Sequence, residues 1–224
     1  MCPYFFKPMS LGFDFEVLDL GLIAYQDGFS WQQDSVNEIA SGKRKGVLIF
    51  CEHSPVITLG RSAKKENVLK PGEQLKSLGI EVVATNRGGD VTLHLPGQLV
   101  VYPVFNLRYL GRDIGLFLRN MEKAVISLLN DYRIKATALE GSTGVWVEQK
   151  KIASIGIAVK NWVAYHGVSL NINCNLDLFS LIRPCGQDII MTSMARFIHS
   201  NDLNVSEIKI KLADKFKQVF TRGG

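Results

Sequence analysis

The chain has 224 residues, of which 46% are hydrophobic and 21% charged, and a formal net charge of +5. That balance places it among ordinary globular proteins, in one large domain with a sizeable core. No apolar run approaches the length of a membrane span, and the mild positive charge suits acidic partners.

Phe13 to Leu20 alternates as a strand. Leu22 to Ile39 has helical spacing, with Ile23, Tyr25, Phe29, Trp31, Val36 and Ile39 as expected core contacts. Gly46 to Glu52, G-V-L-I-F-C-E, has a buried-strand pattern that makes Cys51 a core thiol. Val56 to Leu59 and Ile80 to Ala84 are further strands, separated by a loop carrying Lys64, Lys65, Lys70 and Pro71-Gly72. Leu99 to Leu107 predicts another buried strand. Ile114 to Tyr132 is the clearest helix, with Leu116, Phe117, Met121, Ala124, Val125, Leu128 and Leu129 recurring at its period. Gly141 to Gly144 predicts a turn. Val145 to Val147 and Lys151 to Val159 predict a hairpin turning at Glu148-Gln149-Lys150. Val163 to Ile172 is a strand, Arg183-Pro184-Cys185-Gly186 a tight turn, and Thr192-Ser193 a cap for a short helix. Ser206 to Phe220 is an amphipathic terminal helix with Ser206 as cap. Strands and helices mix without regular βαβ alternation, so the expected class is α+β or irregular α/β.

The densest run of special residues is Arg87 to Gln98, R-G-G-D-V-T-L-H-L-P-G-Q. Gly88 and Gly89 permit close ligand approach. Arg87 adds a permanent charge. Val91, Leu93 and Leu95 alternate with Asp90, Thr92 and His94 as a half-buried strand, and Pro96-Gly97 ends it. This is a plausible pocket wall. An ordinary hairpin with a surface arginine fits the same pattern.

Four cysteines, Cys2, Cys51, Cys174 and Cys185, form no C-x-x-C pair. Neither a secretory signal nor a transit peptide is recognised at the N-terminus, where Asp14 and Glu16 sit, so the expected compartment is intracellular and reducing. Cys185, in a turn between Pro184 and Gly186, is the thiol best placed for chemistry if a cation stabilises its thiolate. Cys174 and Cys2 are weaker candidates. Lys151 opens an apolar strand; it either enters a pocket as acid, base or cation, or is a solvated turn lysine. His94 and His166, inside strands, read as hydrogen-bonded core residues. There is no H-E-x-x-H, phosphate loop or nucleophile elbow, and no nucleic-acid signature.

Five motifs together resemble one family. R-G-G-D-V-T-L-H-L-P-G-Q resembles the R-G-G-x-V-T-x-H-G-P-G-Q signature of octanoyltransferases, the lipoyl(octanoyl) transferases of lipoate biosynthesis. E-H-S-P-V-I-T-L-G-R, Glu52 to Arg61, resembles their E-H-x-P-V-[IY]-T-x-G-R. G-V-W-V-E-Q-K-K-I-A-S-I-G, Gly144 to Gly156, is similar to G-V-[WY]-V-x-x-x-K-I-A-[AS]-[IL]-G. H-G-V-S-L-N, His166 to Asn171, is similar to H-G-[LF]-[AS]-L-N, and R-P-C-G, Arg183 to Gly186, resembles x-P-C-G.

The resemblance implies the fold of lipoate and biotin protein ligases, a mixed sheet flanked by helices. It implies one catalytic domain over 1–224, with a motif-bearing core at about 46–200 and a terminal helix at about 206–220. It implies transfer of an octanoyl or lipoyl group from acyl carrier protein to a lysine of apo lipoyl domains, those of 2-oxoacid dehydrogenase complexes or the glycine cleavage H protein. It implies Cys185 as nucleophile and Lys151 as its acid/base partner, with no cofactor, metal, nucleic acid or membrane, in the cytoplasm. The family's acyl pocket maps to Arg87, Gly88, Gly89, Asp90, Val91, Thr92, Leu93 and His94, to Ser154, Ile155 and Gly156, and to Gly167, Val168 and Ser169. Exchange from a thioester needs no ATP. Two departures stand out: Leu95 replaces a glycine, which is expected to reshape the pocket and the acyl-length preference, and Arg183 replaces a common asparagine. The competing readings are an ATP-dependent lipoate or biotin ligase of the same fold, which needs an adenylate site and no cysteine, and a non-catalytic acyl-carrier binding module.

Overall fold

The two predominantly apolar stretches, Gly46 to Glu52 and Leu99 to Leu107, become the centre of the molecule. The computed structural model describes residues 13–199 and 203–221, with the backbone of residues 5–6; Cys2 lies outside them. In chain order the strands are β1 (Phe5–Phe6), β2 (Glu16–Ile23), β3 (Gly46–His53), β4 (Val56–Leu59), β5 (Glu81–Ala84), β6 (Val91–His94), β7 (Gln98–Asn106), β8 (Ala136–Leu139), β9 (Ser142–Val147), β10 (Lys150–Lys160) and β11 (Val163–Asn171). The α-helices are α1 (Tyr25–Ala40), α2 (Gly72–Ser77), α3 (Ile114–Asp131) and α4 (Val205–Thr221).

Eight strands form a mixed sheet in the order β1-β2-β3-β7-β11-β10-β9-β8. Within it β2 and β3 run parallel, joined through α1, while the other neighbours are antiparallel. In β3 and β7 the alternate residues serve two cores, which is why their sequences show no polar face. Leu48, Phe50, Val101 and Phe105 face α3 and α4; Val47, Ile49, Val100 and Val104 belong to the core on the α1 side. Cys51 is buried in the latter, as expected of a core thiol. Phe117, Met121, Ala124, Val125, Leu128 and Leu129 of α3 pack with Ile208, Leu212 and Phe216 of α4.

The boundaries and faces depart from the sequence reading in ways that have causes. Trp31 is 44% exposed and Leu116 40% exposed. The buried stripe of α1 instead includes Gln32, whose Oε1 accepts the His166 N–H at 2.8 Å. A polar residue in the stripe breaks the apolar period that would have located it. The Asp113 side chain caps α3 by accepting the Leu116 N–H at 2.8 Å. For α4 the cap is Asn204, accepting from the Glu207 N–H at 3.1 Å, and Ser206 sits in the first turn. Ser193 precedes a short 3₁₀ turn, Met194–Arg196, without a side-chain capping bond. The turn expected at 141–144 is confined to Glu140-Gly141, because β9 already begins at Ser142. Strand β8 was not anticipated; its mostly exposed residues form an edge with little apolar signal.

A second sheet, β5-β4-β6, stands beside the first. Val91, Leu93, Leu95, Ile57, Leu75, Phe179 and Leu181 make its own apolar cluster. Consequently β6 and β7 are not a hairpin. The Pro96-Gly97 turn carries the chain from the small sheet into the large one, held by Glu52, whose Oε2 accepts the Gly97 N–H at 2.7 Å. The space between the sheets is where the site forms.

Candidate active site

Arg87 is no surface residue. It is 8% exposed, its Nε donates to Thr58 Oγ1 at 3.0 Å and its Nη2 to the Thr58 carbonyl at 2.5 Å. Its Nη1 reaches the Gly88 carbonyl at 3.1 Å. The guanidinium thus pins the glycine turn to β4, and burial pushes its pKa down to about 10. The turn then crosses to the large sheet, where the Gly88 N–H donates to the Ile157 carbonyl at 2.8 Å. A methyl on Gly156 would stand 2.8 Å from the Gly88 carbonyl oxygen, so the S-I-G glycine is the space that lets the two walls meet.

Between them lies a cavity of about 660 Å³. All but one of the sequence-predicted residues line it: Arg87, Gly88, Gly89, Asp90, Val91, Thr92, His94, Ser154, Ile155, Gly156, Gly167, Val168 and Ser169, with Lys151 and Cys185. Leu93 does not. It is fully buried in the small sheet's cluster, because alternation turns it away from Thr92 and His94. Leu95 lies in the same cluster at 2% exposure, so it fills the core of the small sheet and does not border the cavity. The expectation that it reshapes the acyl pocket is therefore corrected. Leu95→Gly is expected to cost about 2–5 kcal/mol of stability, as core truncations do, while leaving the acyl-length preference of the remaining folded protein unchanged; thermal unfolding and a chain-length series check both.

The cavity also uses residues the motifs did not mark, among them Tyr25, Tyr102, Leu118 and Met191. Tyr25 reaches it from the start of α1 and stacks on His94 with ring centroids 6.4 Å apart. His94 and His166 are buried and hydrogen-bonded, His94 Nδ1 to Gln98 Oε1 at 3.3 Å and His166 Nε2 to Asn86 Oδ1 at 2.8 Å. Burial lowers the pKa of both, His166 to about 3, so both are neutral imidazoles. Among the described residues no group of three His, Cys, Asp or Glu side chains is arranged to hold a metal ion.

Lys151 and Cys185 reach the cavity from different directions and are tied together by backbone. The Lys151 N–H donates to the Ile190 carbonyl at 2.8 Å, and the Thr192 N–H donates to the Lys151 carbonyl at 2.9 Å. The segment that follows the Cys185 turn therefore grips the start of β10. A register shift between Lys151 and Ala153 marks a bulge, the device that re-aims a strand side chain. The Lys151 ammonium lies 5.0 Å from the centroid of the Trp146 ring. Burial lowers the Lys151 pKa, partly opposed by the charges of Cys185 and Glu122. Lys151 is thus neither solvated nor an ordinary surface amine, which decides the choice that alternation left open.

Gly144 makes room for it. Its φ is +136°, and a methyl there would stand 2.5 Å from Lys151 Cε and 2.7 Å from the Ala153 carbonyl oxygen. The Gly144 N–H is fixed by Glu122 Oε1 at 2.9 Å. Gly144→Ala is expected to push the lysine out of the cavity and lower acyl transfer about 100-fold, the scale of a 1 Å misplacement. Steady-state rates, with circular dichroism to confirm folding, check it.

Cys185 is exposed, whereas Cys51 and Cys174 are buried, and burial drives the Cys174 thiol up to about 12. It occupies a left-handed backbone conformation, φ 57° and ψ 22°, inside the 3₁₀ turn Pro184–Gly186. A non-glycine residue held there is strained, and such strain collects at functional positions.

Known proteins resemble this chain. The lipoyl protein ligase A/B catalytic domain matches residues 24–217. An octanoyltransferase of Thermoanaerobacter sp. (strain X514) is 41% identical over 207 residues, 92% of this chain and 90% of its own length. One from Syntrophotalea carbinolica is 40% identical over 205 residues, 91% of this chain and 93% of its own. In structure, a bipartite lipoate protein ligase from Thermoplasma acidophilum superposes with a TM-score of 0.67 at 17% identity, covering 89% of this chain and 82% of that one. The fold is the α+β lipoate/biotin ligase-like fold that the motifs implied.

Proposed function

We propose that this chain, which belongs to the octanoyltransferase family of lipoyl protein ligase A/B catalytic domains, transfers its octanoyl group through a thioester on Cys185. Octanoyl transfer in protein lipoylation is the activity of the family. The observation that carries the cysteine route is one cavity bordered by an exposed thiol in a strained turn and by a partly desolvated lysine on a separate strand.

The proton steps follow from those two groups. The Cys185 thiolate, paired with the Lys151 ammonium, attacks the donor's thioester carbonyl. The carbon–sulfur bond to the carrier breaks, and Lys151 gives its proton to the departing thiolate. Octanoyl-cysteine and a neutral Lys151 remain. The acceptor lysine then attacks as a free amine, Lys151 takes its proton, and the bond to Cys185 breaks. An amide forms and the thiolate–ammonium pair is restored. A lysine whose pKa is lowered by burial reaches its neutral form at lower pH than a surface lysine, as the second half requires.

The donor in this reading is octanoyl-acyl carrier protein and the acceptor an apo lipoyl domain, in the cytoplasm. Among the described residues no helix is long and apolar enough to cross a membrane. A single catalytic domain over 1–224 is supported by α4, whose Phe216 and Phe220 share the core of α3. Intact mass after mixing with octanoyl-acyl carrier protein, without ATP, is expected to show one octanoyl adduct that an apo lipoyl domain removes. No adduct, with activity only on ATP and free octanoate, would establish the ligase reading instead.

A further inference from the structure

The residue that follows the two glycines is doing something other than touching an acyl chain. Asp90 is 7% exposed, and its carboxylate collects N–H donors from two other segments. Oδ1 accepts the backbone N–H of Lys64 at 3.2 Å. Oδ2 accepts the side-chain amide of Asn67 and the backbone N–H of Cys185, the latter at 2.6 Å. Asn67 in turn accepts the Arg183 N–H on its carbonyl at 2.8 Å, and the Leu69 N–H donates to the Leu181 carbonyl at 2.9 Å. The 64–69 loop and the 181–185 segment are therefore laced side by side, and the Asp90 carboxylate sits at their crossing.

We infer that Asp90 is the positioning residue of the nucleophile: it holds the Cys185 turn in its left-handed conformation by accepting the Cys185 N–H. The inference rests on the cysteine route above and gives that route its anchor. A left-handed non-glycine residue relaxes unless its surroundings over-determine it. A buried, charge-assisted hydrogen bond to its own N–H is such a determinant. The same bond has a chemical consequence. The Cys185 N–H is already engaged, so the negative charge that develops on the octanoyl carbonyl oxygen must be met by other donors of the cavity wall.

Asp90 also sets a charge beside the thiol. The ionisable groups that share the cavity with Cys185 include Asp90 from the β6 approach, Lys151 from β10, Arg61 from the loop after β4 and Glu140 before β9, and the Arg183–Asp188 pair of its own segment is joined at 2.8 Å. A carboxylate orders the turn but opposes the thiolate. Removing its charge separates the two effects, which a merely structural residue would not do.

The test uses Asp90→Asn and Asn67→Ala in the full chain, with two readouts: the rate of octanoyl-adduct formation, and the pH midpoint of Cys185 alkylation by iodoacetamide. For Asp90→Asn, adduct formation is expected to slow at least about tenfold, within the range that small misplacements produce, while the alkylation midpoint moves to lower pH. For Asn67→Ala the carboxylate loses a donor and keeps its charge, so the midpoint moves to higher pH. Unchanged adduct formation in Asp90→Asn, or midpoints that stay fixed or move together, overturns the assignment. If wild type forms no adduct, the cysteine route fails, and the opposed midpoint shifts still report whether the Asp90 carboxylate stands beside the Cys185 thiol.

Discussion

Replacing Cys185 with serine is expected to abolish the octanoyl adduct and lower transfer by about 10⁴-fold or more, since a covalent route cannot be shared among the remaining groups. A serine hydroxyl keeps the turn's shape but ionises far less readily than a thiol, and Lys151 is not a strong enough base to offset that. The variant should keep its fold, because Cys185 is exposed and its anchoring bonds run through backbone. Intact mass and a discontinuous lipoyl-domain assay read the two effects. Transfer near the wild-type rate by the serine variant would mean that the acyl group passes directly between donor and acceptor, with Cys185 a bystander.

Lys151→Ala is the second large effect. Loss of a positioned acid/base group is worth about 10²–10⁴-fold. Here both halves of the reaction suffer, since one proton is delivered and one removed. The rate of the second half, transfer from Cys185 to the acceptor, should rise with pH as Lys151 loses its proton, starting below the range of an ordinary lysine because burial lowers its pKa. In the alanine variant that rise should vanish. The same variant should need a higher pH for Cys185 alkylation, since the neighbouring cation is gone. An alkylation profile that does not move would remove Lys151 from the pair.

The motif residues were legible because each motif packs turn chemistry, a strand and a short side chain into one continuous stretch. The family resemblance put Gly88, Gly156 and Ser169 on a pocket wall, and the cavity holds them. The family resemblance, and not strand alternation, misled at Leu93 and Leu95. Their neighbours face the cavity, but a second small core claims them, and a separate three-stranded sheet leaves no mark in a linear pattern. Tyr25, which lines the cavity, comes from a helix more than sixty residues upstream of the Arg87 turn, so spacing carries no trace of it. Asp90 was visible as a wall residue, yet its bond to the Cys185 N–H spans 95 positions and belongs to tertiary structure alone.

The cation–π contact at Lys151 has an optical consequence. Trp146 is 6% exposed, whereas Trp31 and Trp162 are 44% and 37% exposed. The indole excited state is sensitive to nearby charge, and on the proposed route the charge beside Trp146 is the one that leaves when Lys151 protonates the departing thiolate. The molecule thus carries a buried indole beside Lys151, set apart from its two wetter counterparts. On the proposed route its emission is expected to differ between the acylated and free forms, with no label needed.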